Sequence, residues 1–215
     1  MSEPAPRWRR RPTERPEEIL RAALDVFVEE GLAGARVEDI AQRAGVSKGT
    51  LYLYFQGKEE LFREAILAHV GRTLETLSTA SAPGDARERL ARFLAAYWAV
   101  MRGPRFAGLY RLVLAELHQF PDLTRFWADE ISGRAIALLM PVLEEGAREG
   151  VFRLLDARVA GRMIAALLGQ HAVWASRRDL FPHLRQKDDE ELLSEISEFA
   201  FAALGAAPPS QDLLR

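Results

Sequence analysis

Apolar residues recur three and four positions apart from Ile19 to Leu204, and nowhere do they alternate with polar ones over the length of a half-buried strand. That periodicity restricts the chain to the all-α class. Glycine and proline set the helix ends. Pro16 suits a first helical position and Glu17 and Glu18 favour the positive helix end, so a first helix carries Ile19, Leu20, Ala23, Leu24, Phe27 and Val28 inward until Gly31 stops it. A short second helix spans about 37–44 and ends at Gly45, where a left-handed backbone costs glycine nothing. Ser47 serves as N-cap of a third short helix reaching about Tyr54. A fourth opens near Lys58 and runs through Leu61, Phe62, Ile66 and Val70. After the Pro83-Gly84-Asp85 break, helical periodicity resumes over 86–101, 105–120, 121–150, 156–176 and 188–204, about nine helices in all. Pro141 is expected to kink or break the segment 121–150.

Of 215 residues none is cysteine, which excludes a disulfide scaffold, a thiol nucleophile and cysteine-ligated metal, and agrees with a reducing cytoplasmic location. The longest charge-free apolar runs, 135–143 and 163–176, are shorter than the roughly 20 residues that span a bilayer, so no membrane partner is expected. Arginines near the start have no apolar segment behind them, which excludes a secretory signal peptide. Residues 1–12, with Pro4, Pro6 and Pro12 among Arg7, Arg9, Arg10 and Arg11, read as a mobile basic arm.

Two short helices joined by a tight glycine turn, over about 36–55, form the pattern in which the second helix enters the DNA major groove. The local chemistry agrees. Residues 40–58 hold Arg43, Lys48 and Lys58 and no acid, although acids outnumber bases 31 to 29 over the chain. Ser47, Gly49 and Thr50 keep the start of the third helix small, and Tyr52 and Tyr54 add hydroxyl donors on a helix too short to bury both rings. The same pattern also suits a charged helix pair that only solvates one end of a helical core. Gly45-Val46-Ser47-Lys48-Gly49 matches the G-x-S-x-G nucleophile elbow of α/β-hydrolases, but the elbow needs a preceding strand and a histidine base on an α/β scaffold. Helices flank it here on both sides.

The run from Ile19 to Leu61, ILRAALDVFVEEGLAGARVEDIAQRAGVSKGTLYLYFQGKEEL, resembles the N-terminal domain of the tetracycline-repressor (TetR) family of bacterial transcription regulators. The resemblance is specific over about 13–73 and loose beyond. It implies that Ser47, Lys48, Gly49 and Thr50 face bases, that Tyr52 and Tyr54 contact phosphate and bases, and that Lys58 opens the fourth helix against a phosphate. Arg43 joins this DNA-binding set by its charge. Phe55 should pack the small core with Phe27, Ile40 and Leu51. Arg36 stands where the family usually caps the second helix with Thr or Ser; arginine still reaches phosphate, but the cap is lost at about 1 kcal/mol. The implied partners are double-stranded DNA with a palindromic operator, a small-molecule effector and a second copy of the chain.

Residues 74–205 then form an effector-binding and dimerisation domain, with 206–215 a flexible tail. Gly161, Ala165, Gly169, Ala172 and Ser176 make a stripe of small residues, and Leu192, Leu193, Ile196, Phe199, Ala200, Ala203 and Leu204 a broad apolar face. Both faces suit packing within one subunit or against a second. The resemblance implies the second, a dimer built from the segments 156–176 and 188–204 as a four-helix bundle. An aromatic and amphipathic set, Tyr97, Trp98, Met101, Phe106, Tyr110, Leu114, His118, Phe126, Trp127, Ile131, Met140, His171 and Trp174, has the character of a largely apolar pocket. Core packing uses the same residue types. No cofactor, metal or catalytic residue is expected: His69, His118, His171 and His183 are far apart and none lies in a helical ligand motif.

The reading is a ligand-responsive repressor. Its rivals are a constitutive or architectural DNA binder, and an enzyme that carries a helix-turn-helix. The total charge of −2 conceals a polarised chain. Residues 7–16 carry +4 and residues 40–58 carry +3, which leaves −9 for the remainder.

Overall fold

The computed structural model describes residues 14–80, 84–153 and 156–207. The basic arm, Pro83 and the last eight residues lie outside them. The described residues are helical without strands and divide into two compact units, one through His69 and one from Val70.

In the first unit, α1 (Glu14–Gly34) bends at Gly31, whose φ of 80° only glycine adopts without strain, and adds one further turn. α2 (Val37–Arg43) and α3 (Lys48–Tyr52) are separated by a turn through Gly45, with φ of 65°. α4 (Lys58–Ala80) follows. Ile19, Ala23, Phe27, Leu32, Ile40, Leu51, Leu61, Phe62 and Ile66 are removed from solvent, and Phe55 closes over them. The Phe27 and Phe62 rings meet edge to face, centroids 5.4 Å apart, which adds quadrupole attraction to burial.

The second unit contains α5 (Ala86–Arg102), α6 (Pro104–Glu116), α7 (Pro121–Phe126), α8 (Arg134–Arg148), α9 (Ala157–Ala175) and α10 (Asp189–Ala203). α7 and α8 are joined without a break by a π-helical stretch, Trp127–Gly133, so that as one helix they bring the described count to nine. The irregularity expected at Pro141 lies instead in that π stretch, and α8 passes through Pro141. Both Pro141 and Ala137, whose carbonyl loses its helical donor to the proline, are exposed, so water can satisfy the carbonyl. At Gly133 a Cβ would stand 3.0 Å from the Ala128 carbonyl oxygen, five residues back, so glycine accommodates the wider turn. α5 packs against α6, α8, α9 and α10. Asp156 caps α9 and Asp188 forms a reciprocal capping box with Glu191 on α10.

Two further boundaries differ from the periodicity. α4 continues ten residues past Val70, and the segment 105–120 divides into α6 and a 3-10 turn, Leu117–Gln119. No described helix is long and apolar enough to cross a membrane.

Candidate nucleic-acid interface and effector cavity

Burying Ile40, Ala41 and Leu51 turns the opposite faces of α2 and α3 outward. Ser47 caps α3, its Oγ accepting from the Thr50 N–H at 3.0 Å and lying 2.8 Å from the Thr50 Oγ1. Lys48, Gly49, Tyr52 and Tyr54 are exposed beside this cap, and Thr50 is half-buried. A Cβ at Gly49 would meet only the Ser47 Oγ, at 3.8 Å, and Gly49 needs no positive φ. Its glycine therefore answers neither to packing nor to backbone strain inside the chain. Arg36 precedes α2 in an extended conformation and its side chain makes no cap, as its type implies.

Three of the four cations of this face, Arg36 being the exception among the described residues, are held by the chain itself. Lys48 pairs with Glu38 and lies 5.8 Å from the Tyr52 ring centroid; Arg43 pairs with Glu29 at 2.6 Å; Lys58 donates to the Ala33 carbonyl at 3.1 Å. The hydrogen bond from Lys48 holds the Glu38 carboxyl below its ordinary range, and that from Arg43 does the same for Glu29. Sequence reading passed over Leu53, which is 83% exposed between the two tyrosines. Its signal was an apolar residue in a helix whose buried positions, Leu51 and Phe55, already satisfy the core.

In the second unit a cavity of about 170 Å³ lies among α4, α5, α6, α8, α9 and the π stretch. Of the thirteen residues of the expected set, Tyr97, Met101, Phe106, Tyr110, Trp127 and Ile131 line it. The other seven do not, Phe126 and Met140 among them. The Trp98 indole donates to the Asp189 carbonyl at 3.1 Å, Leu114 and His118 are on the surface, and His171 and Trp174 form a separate aromatic cluster with Phe181 and His183. Helical spacing alone does not distinguish the wall of a cavity from the flank of the same helix. Leu74, Leu77, Ser132 and Arg162, which also line the cavity, were missed. The first two lie on the unforeseen extension of α4. Arg162 was signalled as the one charge between Val159 and Ser176.

Tyr97 and Tyr110 carry phenols that are O–H donors at neutral pH, and burial raises their pKa further. Tyr110 owes its position to a glycine. A Cβ at Gly169 would stand 2.8 Å from the Tyr110 Oη.

The small-residue stripe expected at a subunit interface is occupied within the unit. A Cβ at Gly161 would stand 3.3 Å from Ile136, Gly169 abuts Tyr110, Ala172 is fully buried, and Ala165 lines the cavity. Leu192 and Ile196 are likewise buried in the chain's own core. Close approach is what small residues permit, and α6 and α8 make that approach here. The face left open on α9 and α10 holds Met163, Leu167, Phe199 and Ala203 around an apolar groove of about 520 Å³; Met163 is 63% and Phe199 66% exposed.

A capped recognition helix with an outward cationic and aromatic face, together with a separate helical unit around a cavity, defines a helix-turn-helix DNA-binding protein. The profile of "Bacterial regulatory proteins, tetR family" matches residues 19–65, and that of "AefR-like transcriptional repressor, C-terminal domain" matches 88–205. The fatty acid metabolism regulator protein of Bacillus subtilis is 30% identical over 149 residues, 68% of this chain and 76% of that protein. Among solved structures, a transcriptional regulator from Pseudomonas aeruginosa PAO1 superposes with TM-score 0.78 at 27% identity, covering 96% of this chain and 97% of the other. The regulator FadR of Bacillus subtilis, in complex with stearoyl-CoA, does so with TM-score 0.74 at 26% identity, covering 87% and 98%. The chain belongs to the TetR family of bacterial transcription regulators and is a DNA-binding regulator.

Proposed function

We propose that the protein is a homodimeric repressor that holds a palindromic operator and leaves it when a small, largely apolar effector enters the second unit. The observation that carries this reading is α4, an unbroken helix that starts at Lys58 on the DNA face and supplies Val70, Leu74 and Leu77 to the cavity wall. This helix is the lever by which the reading has an occupied cavity act on the recognition helix. An effector that binds better to a dimer with displaced recognition helices weakens DNA affinity by the same factor, since linkage is reciprocal. The complex of FadR with stearoyl-CoA supports an effector with an apolar tail. Pairing of two copies through the Met163–Phe199 groove would cover that apolar surface and set two recognition helices on half-sites about 34–36 Å apart.

On DNA, Ser47, Lys48, Gly49 and Thr50 are assigned to base edges and backbone approach, and Tyr52, Tyr54, Arg36, Arg43 and Lys58 to phosphate. The test uses a duplex selected from a random pool. Thr50→Ala relaxes sequence preference, whereas Lys58→Ala weakens every sequence alike and flattens the salt slope by about one unit. The same effect from both substitutions overturns the assignment. No loss of operator affinity with any ligand that binds the cavity overturns release.

A further inference from the structure

Besides apolar side chains, Thr73 and Ser132, the cavity lining includes three residues that carry strong donors with no hydrogen bond or ion pair among the described residues: Tyr97, Tyr110 and Arg162. Among the described residues no acidic side chain lines it. Elsewhere in the same unit Arg102 and Arg178 are engaged by Asp189 and Arg89 by Glu145, whereas Arg87, Arg148, Arg153 and Arg158 share with Arg162 the lack of a partner for the guanidinium among the described residues. Of these unengaged arginines Arg162 is the one that lines the cavity. It and Ala166 are the exposed residues of the lining, so Arg162 stands at the mouth, while Met101, Phe106, Trp127 and Ile131 are buried and form the interior.

We infer that the ligand of this cavity is a short apolar acid, its hydrocarbon part among Met101, Phe106, Trp127 and Ile131 and its anionic head at Arg162. This rests on reading the cavity as the effector site. Each class of ligand can be weighed against the lining. A cation meets Arg162 with no carboxylate to offset it. A plain hydrocarbon fills the interior but leaves the two phenol donors without acceptors and the Arg162 guanidinium at the mouth with water alone. An anion satisfies the guanidinium through charge-assisted hydrogen bonds and offers oxygen to the phenols. Size is set by the volume. A dry cavity of about 150 Å³ takes benzene, so about 170 Å³ takes a group of about seven carbons, the length of the alkyl chain of octanoate.

The anionic head has two chemical sources, a free carboxylate or the phosphates of an acyl thioester. Calorimetric titration of the full chain with octanoate, octanoyl-CoA, stearate, octan-1-ol and octylamine separates them. Octanoate or octanoyl-CoA, whichever source applies, is expected to bind at least tenfold more tightly than the alcohol, the amine and stearate. Arg162→Gln removes the preference for the acid over the alcohol, and Arg162→Lys restores most of it. Equal binding of alcohol and acid, tighter binding of the amine or of stearate, binding of neither eight-carbon anion, or a preference that survives Arg162→Gln overturns the inference. DNA measurements keep the two readings distinct. If the acid binds as expected yet operator affinity is unchanged, effector release fails and the ligand class stands; if neutral compounds release DNA and acids do not, the reverse holds.

Discussion

The two units of this chain treat their polar groups in opposite ways. In the helix-turn-helix unit three of the four cations assigned to the outer face are engaged, Lys48 by Glu38, Arg43 by Glu29 and Lys58 by a carbonyl. Around the cavity, Tyr97, Tyr110 and Arg162 have no such partners among the described residues. The difference follows from what each must bind. DNA brings a dense row of phosphates and a condensed counterion layer, enough to draw lysines and arginines from exposed, weakly held pairs. A small ligand brings one head group, and its donors serve best when already free and fixed in place.

The glycines show the same contrast. Gly146 in α8 is required inside: a Cβ would stand 2.2 Å from the Phe152 ring and 2.9 Å from the Ala86 Cβ. Gly146→Ala is therefore expected to destabilise the protein by about 1–3 kcal/mol, the usual cost of overpacking, read as a lower urea midpoint. An unchanged midpoint breaks the packing half of the comparison. Gly49 in α3 has open space, so Gly49→Ala should leave stability equal or raise it by up to about 1 kcal/mol. Yet it should weaken binding to the selected duplex about tenfold or more, equal to at least about 1.4 kcal/mol. Retained DNA affinity would show that the helix does not approach the groove at Gly49.

Between these lies Asp189, which fastens the start of α10 to the rest of its unit. Burial works against its carboxylate, but hydrogen bonds from Arg178 and Arg102 outweigh that and hold the pKa below the ordinary 3.8. Its contribution is thus present above pH 3.8 and is lost as pH falls through the lowered value. Asp189→Asn is expected to lower stability by about 1–2 kcal/mol near neutral pH, discounted for a half-exposed carboxylate. The variant and parent curves should converge in acid. Curves that stay parallel down to pH 2 would remove the ion cluster from the account.

Legibility in the sequence followed the same division. The turn at Gly45 and the Ser47 cap could be read because each depends on residues close in sequence, and the buried Phe27, Ile40, Leu51 and Phe55 because the resemblance to a known family supplied their packing. The π stretch, the extension of α4 and the cavity wall depend on contacts between helices. Trp98 and Trp127 look equivalent as aromatics in helical periodicity, but one donates to the Asp189 carbonyl and the other lines the cavity. Gly161 and Gly169 correctly signalled a close helix approach without saying which helix approached.

The smallest expected effect tests the ion pairs on the DNA face themselves. Glu38 on α2 and Lys48 on α3 hold one another at the edge of the surface assigned to DNA, and Glu38 is itself a negative charge there. Phosphate and Glu38 compete for the same ammonium group. Glu38→Gln removes the competitor and one repulsive charge, so affinity for the selected duplex should rise modestly, two- to threefold being about 0.4–0.7 kcal/mol. Salt should erase the gain, since both the pair and the repulsion are exposed to solvent. Acidification should produce the same release in the parent protein, but only as pH falls through the Glu38 pKa, which Lys48 holds below the ordinary 4.5. Filter binding of parent and variant across salt and pH measures all three. A loss of affinity in Glu38→Gln would mean that Glu38 positions Lys48 for its phosphate or base instead of restraining it, and the contrast between engaged and unspent donors would then have to be drawn at the cavity alone.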